Sequence, residues 1–130
     1  MSHYAVVKVK IQNPDARVLE RALQRLAEKL NATVKTNAVV RGWNFRRRVN
    51  YLLETSLPYG NGYGVEINSK GEVVVHVDDH DAPMTAQEFQ QELQKLYTAE
   101  AVKEALQELG YDVTEQEQRE SIVIHAYALG

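Results

Sequence analysis

Pro58-Tyr59-Gly60-Asn61-Gly62-Tyr63-Gly64-Val65-Glu66-Ile67-Asn68-Ser69-Lys70-Gly71-Glu72-Val73-Val74-Val75-His76-Val77 is the stretch on which the fold turns. Asn61-Gly62 is the strongest short hairpin signal, because both residues reach the positive φ that a tight turn between strands requires. After it Tyr63, Val65 and Ile67 fall on one face of a strand near 63–68. Ser69-Lys70-Gly71 then turns the chain into Glu72–Val77, a second strand and the hairpin partner of the first. Hairpins produce antiparallel sheet, so the centre of the chain is antiparallel β.

Working outward, Val7, Val9 and Ile11 alternate with Lys8 and Lys10, which predicts a half-buried strand near 3–12. Asn13-Pro14-Asp15 reads as a helix start, with Asn as cap, Pro suited to the first helical position and Asp complementing the positive helix end. Val18, Leu19, Leu23, Leu26, Ala27 and Leu30 follow at spacings of three and four, the pattern of an amphipathic helix near 15–30. Strands are expected near 32–43 and, as a short one, around Tyr51, Leu53 and Thr55. Downstream, Thr85 with Glu88 forms a capping box that opens the longest helix, expected to bend near Tyr97-Thr98 and to end at Gly110. A last strand runs from Ser121 to Ala128. The order β-α-β, hairpin, α-β predicts an α+β domain over residues 1–130. A single mostly antiparallel sheet with two helices on one face is expected, in a ferredoxin-like arrangement. The predicted core is Val7, Val9, Ile11, Leu19, Leu23, Leu26, Val65, Ile67, Val73, Val75, Phe89, Leu93, Leu106, Ile122 and Ile124.

A chain of 130 residues buries enough surface to fold without a staple, and it has no cysteine, which excludes a disulfide framework, a zinc ribbon and a thiol nucleophile. No apolar run approaches the length of a membrane span, and Met1–Lys8 lacks the pattern of a signal peptide, so a soluble cytoplasmic domain without a membrane partner is expected. The net charge of −3 conceals an asymmetry. Residues 1–55 carry 11 Lys and Arg against 4 Asp and Glu, and residues 56–130 carry 4 against 14. Either a basic face awaits nucleic acid or an acidic partner, or the two halves fold together and neutralise one another.

Two segments bear on chemistry. Arg41-Gly42-Trp43-Asn44-Phe45-Arg46-Arg47-Arg48 interleaves arginines with aromatics. Guanidinium forks bind phosphate or carboxylate, and Trp43 and Phe45 could stack on bases or fill a partner's pocket, unless they pack into the core while the arginines pair internally. His76, Asp78 and His80 would lie on one face of a strand, as a metal-dependent enzyme would place its ligands, although a turn rich in Asp and His leading into Pro83 is the plainer reading. Tyr59-Gly60-Asn61-Gly62-Tyr63-Gly64 lacks the following helix of a phosphate loop. Its partial echo of an RNA-recognition strand stops at Val65, where a second stacking aromatic belongs. His3, His125 and Glu54 form no acid/base constellation, and Ser56 and Ser121 lack a nucleophile elbow. No enzyme signature and no cofactor motif is found.

Several short motifs in sequence resemble a family of small plastid and cyanobacterial proteins, the "hypothetical chloroplast reading frame" proteins of unknown function with bacterial relatives. They are Met1-Ser2-His3, Val40-Arg41-Gly42 with arginines close behind, Asn61-Gly62-Tyr63, Tyr97, and Leu109-Gly110-Tyr111-Asp112-Val113 before a polar hairpin and final strand. The chain departs from that pattern at Val77-Asp78-Asp79-His80 and at Tyr127-Ala128-Leu129-Gly130, where family members carry aromatics. The resemblance implies an α+β domain without a known reaction, a plastid stroma location if plastid-encoded, and an association with an AAA-type ATPase. The leading expectation is a non-enzymatic adaptor or protein-interaction domain that uses Arg41, Trp43, Phe45, Arg46, Arg47 and Arg48. An RNA-binding domain using the same residues and a metal-dependent enzyme at His76, Asp78 and His80 are the alternatives. Unpaired strand edges also make a homodimer an expected assembly.

Overall fold

The computed structural model describes residues 4–128, so Met1-Ser2-His3 and Leu129-Gly130 lie outside the described residues. Strand β1 (Tyr4–Gln12) leads into helix α1 (Ala16–Leu30). The carboxylate of Asp15, not the side chain of Asn13, caps that helix, accepting from the amides of Arg17 and Val18. Asn13 instead sits at φ 47°, turning the chain between strand and helix. Strands β2 (Thr33–Arg41), β3 (Arg46–Leu57), β4 (Gly60–Ile67) and β5 (Glu72–Asp78) follow as a meander, and β3 is far longer than its apolar alternation predicted. Helix α2 (Ala86–Glu108) begins with the predicted Thr85–Glu88 capping box and continues unbroken through Tyr97-Thr98.

The main sheet has the order β1-β5-β4-β3-β2, antiparallel throughout. Strands β1 and β2 therefore occupy opposite edges, and α1 crosses the sheet to join them. This is not the ferredoxin-like order, and the C-terminal strand does not enter the sheet. Among the described residues strand β7 (Ile122–Ala128) pairs only with β6 (Tyr111–Glu117), in a separate two-stranded hairpin. Strand β6 is not among the elements expected from the sequence, because Tyr-Asp-Val-Thr-Glu-Gln-Glu has almost no apolar alternation.

Both helices cover one face of the main sheet. Val9, Val75, Val65 and Leu53, one from each of four strands, meet Leu19, Leu23 and Leu26 of α1 and Phe89, Leu93 and Leu96 of α2. Tyr63 is fully buried there, stacked on Phe89 at 4.7 Å, with its hydroxyl donating to the Met84 carbonyl; burial pushes its pKa up to about 12. Most of the predicted core is in this layer. Val7, Ile67 and Ile122 are partly buried against it, whereas Leu106 and Ile124 are only half-buried and stand outside it.

Among the described residues no helix covers the opposite face. It holds a small apolar cluster of Val40, Val49 and Leu52, flanked by Ala38 and Phe45. The cluster lies over Gly64, where a Cβ would come within 2.6 Å of Val40 Cγ1. This helix-free face carries Phe45, Arg47, Glu66 and His76, beside the β2–β3 turn that forms the candidate site.

Candidate interaction surface

Strand β2 ends at Arg41 and β3 begins at Arg46, with Arg41 opposite Arg46, Val40 opposite Arg47 and Val39 opposite Arg48. The four residues between them close on a hydrogen bond of 3.0 Å from the Gly42 amide to the Phe45 carbonyl. Phe45 folds back over the helix-free face and stacks on Tyr4, ring centroids 3.8 Å apart and nearly parallel. Gly42 must be glycine for this approach, since a Cβ would come within 2.6 Å of Asp78 Cβ and closer still to the Phe45 ring. The amide of Trp43 donates to Asp78 Oδ2 at 3.1 Å, and Asp78 is 1% exposed. A buried carboxylate thus anchors the backbone of the turn. The indole above it is 69% exposed, edge-on to Tyr59, which in turn lies against His80.

Beneath this turn lies a polar relay. Arg47 donates to Glu66 through Nε (3.0 Å) and a terminal nitrogen (3.2 Å). Glu66 Oε1 also takes His76 Nε2 at 2.7 Å, and His76 Nδ1 meets the Tyr4 hydroxyl at 2.9 Å. The neutral Nε2–H tautomer satisfies both contacts, donating to Glu66 and accepting from Tyr4. The Arg47 guanidinium, helped by His76, holds the Glu66 carboxyl below the usual range against the opposing effect of burial. Burial pushes His76 down despite the carboxylate beside it, because Arg47 already compensates that charge. Burial also raises the Tyr4 hydroxyl.

The six residues of the basic-aromatic segment therefore separate into two groups. Phe45 and Arg47 are structural, one stacked and half-buried, the other committed to Glu66. Arg41, Trp43, Arg46 and Arg48 are exposed, and among the described residues the three arginines have no carboxylate partner. Elsewhere the charge asymmetry is largely neutralised across the fold. Lys8 pairs with Glu72, Arg17 and Arg21 with Glu104, Arg25 with Glu115, and Lys29 with Glu92 and Glu117. Lys10, Lys35, Lys70 and Arg119 join no ion pair among the described residues either, but Arg41, Arg46 and Arg48 are the unpaired cations gathered at one turn.

The His76–Asp78–His80 set does not converge. Both ring nitrogens of His76 are engaged, Asp78 accepts from the Trp43 amide, and His80 stands beyond the strand beside Asp81 and Tyr59. Among the described residues no group of three or more His, Asp or Glu side chains is placed to hold a metal ion. Tyr63, the aromatic of the partial RNA-recognition motif, is in the core and presents no stacking face. Sequence reading missed Tyr4, Tyr59 and Glu66. Counting outward from the Asn68–Glu72 turn places Glu66 opposite Val74 and Gly64 opposite His76, so the Glu66–His76 diagonal on one face was available from register alone. Tyr4 required knowing that β1 pairs with β5.

The chain belongs to the family described as protein of unknown function (DUF1257), whose model matches residues 22–125. No curated protein and no solved structure matches it.

Proposed function

We propose that this protein is a non-enzymatic interaction domain that docks an acidic surface of a protein partner on its β2–β3 turn. The observation that carries this reading is an exposed Trp43, on a turn pinned to the buried Asp78, among three arginines without internal partners. Tryptophan and arginine dominate the energetics of protein interfaces, the first by area and the second by bidentate pairing with carboxylates. A turn fixed by its own hydrogen bonds loses little entropy on binding, which favours affinity. Base stacking along a nucleic-acid strand needs successive aromatic faces. Phe45 is covered by Tyr4 and Tyr63 is buried, which favours the protein reading over RNA. On the family resemblance, an AAA-type ATPase is the first partner to test.

The experiment is capture from native lysate at moderate salt, with and without nuclease, using wild type, Trp43→Ala and Arg46→Glu/Arg48→Glu. Arg47 is left intact because it supports Glu66 and His76. A stoichiometric protein that survives nuclease and is lost in both variants, while their thermal unfolding stays unchanged, is the expected result. Recovery of nucleic acid alone, released steeply as salt rises, would replace this reading with an RNA-binding one.

A further inference from the structure

The described residues contain two sheets and hence four sheet edges, and three carry the devices that prevent edge-to-edge pairing. Strand β1 bears Lys8 and Lys10 and a register break between Val9 and Gln12. Strand β2 bears Lys35 and Arg41 and is distorted by Asn37 at φ 48°. Strand β6 carries Asp112, Glu115 and Glu117. Strand β7, Ile-Val-Ile-His-Ala-Tyr-Ala, has no Lys, Arg, Asp, Glu, Pro or Gly in seven residues, and among the described residues only β6 pairs with it.

The surface beside that edge is equally short of charge. Between β7 and α2 runs a groove of about 610 Å³, lined by Ile122 and Ile124 on one side and by Gln94, Thr98 and Val102 on the other. Its charged members are Lys95, tied to Glu92 and Glu117, and Glu120 in the β6–β7 turn. The α1-facing flank of α2 is the opposite, with Glu92, Glu100 and Lys103 all in ion pairs. Depletion of charge at the centre of a surface marks a patch built to be covered. A strand added here must itself be uncharged, so that it completes the backbone hydrogen bonds of β7 without placing a charge against Ile122 and Val102.

We propose that β7 pairs antiparallel with β7 of a second copy of this chain, joining two hairpins into a four-stranded sheet about a two-fold axis. The strand is its own complement. With the two His125 side chains meeting on the axis, Ile124 faces Ala126 of the second copy and Val123 faces Tyr127, a β-branched residue opposite an aromatic, and no Lys, Arg, Asp or Glu is opposed to another. The pairing uses the edge on the helix side of the molecule and leaves the Arg41–Arg48 turn free, so it stands apart from the docking reading above.

Sedimentation equilibrium of the full chain tests it. Wild type is expected at twice 14.8 kDa, dissociating on dilution. Val123 and Tyr127 alternate with Ile122 and Ile124 and so project away from the groove. Val123→Glu/Tyr127→Glu and Val123→Lys/Tyr127→Lys are each expected to be monomers, and an equimolar mixture of the two to recover the dimer, which a merely structural role for these side chains would not produce. Wild-type amide exchange supplies a measurement independent of any variant's folding, since β7 amides should slow as protein concentration rises. A wild-type monomer at every concentration, a dimer indifferent to both charge variants, or β7 exchange independent of concentration would each overturn the proposal.

Discussion

His76 shows how a single buried side chain couples the site to stability. It is 3% exposed, with Tyr4 on one nitrogen and Glu66 on the other, and burial lowers its pKa below the usual imidazole value of 6.5. Because the folded value is the lower one, the unfolded chain binds more protons just below pH 6.5, and stability falls as pH drops through that window. The slope cannot exceed about 1.4 kcal/mol per pH unit for one group. Wild type should therefore lose stability between neutrality and mild acid in urea titrations, and His76→Gln, which keeps hydrogen-bonding capacity but does not titrate, should be flat there. The two carboxylates at the site, by contrast, act as acceptors that hold backbone and guanidinium. Asp78 fixes the Trp43 amide, and Glu66 occupies Arg47. Arg47 thus differs from its sequence neighbours through one cross-strand contact that composition does not reveal.

At the level of elements, the β6–β7 hairpin is held to the helices mainly by charge. Arg25 donates to both oxygens of Glu115 at 3.0 and 2.5 Å, Lys103 joins Glu115 to Glu100, and Lys29 and Lys95 converge on Glu92 and Glu117. The Arg25 guanidinium and the Lys29 ammonium hold Glu115 and Glu117, respectively, below the usual carboxylate value. The stabilisation from a lowered carboxylate is present above about pH 4.5 and is lost as pH falls through the folded values. Arg25→Ala removes charge-assisted hydrogen bonds, each of which contributes about 1.5–3 kcal/mol. The loss should be local: faster amide exchange across 111–128 with the protection of β3, β4 and β5 unchanged. Wild type in acid should show the same order, the hairpin opening before the main sheet. An Arg25→Ala protein in which all strands lose protection together would show that the hairpin is part of the global folding unit.

For the whole molecule, the opposition between a basic first half and an acidic second half is an internal complement. Strand β1 depends on β5 for pairing, β3 on β4, and the α1 cations on acids of α2 and β6. A fragment of residues 1–55 should accordingly show no cooperative thermal transition by circular dichroism, and should gain one when mixed with residues 56–130. Cooperative unfolding of the first fragment alone would contradict an interleaved core. Much of this architecture was legible beforehand, because alternation in β4 and β5, the Thr85–Glu88 capping box and the 3–4 spacing of α1 are local patterns with local causes. The candidate segment was legible too, as a run of residue types. Three things were not. The strand order needed the pairing of β1 with β5, a contact between residues some seventy positions apart. Strand β6 is stabilised by ion pairs to helices, which leave no period-2 apolar signature. The division of the arginines into one committed and three exposed depended on which carboxylates the fold carried to that face. The sequence by itself determined the elements and the chemistry available to them, since those depend on neighbours within a few positions. Only the tertiary structure decided which charges were paired inside the molecule and which were left without an internal partner, because an ion pair is made by distance in space.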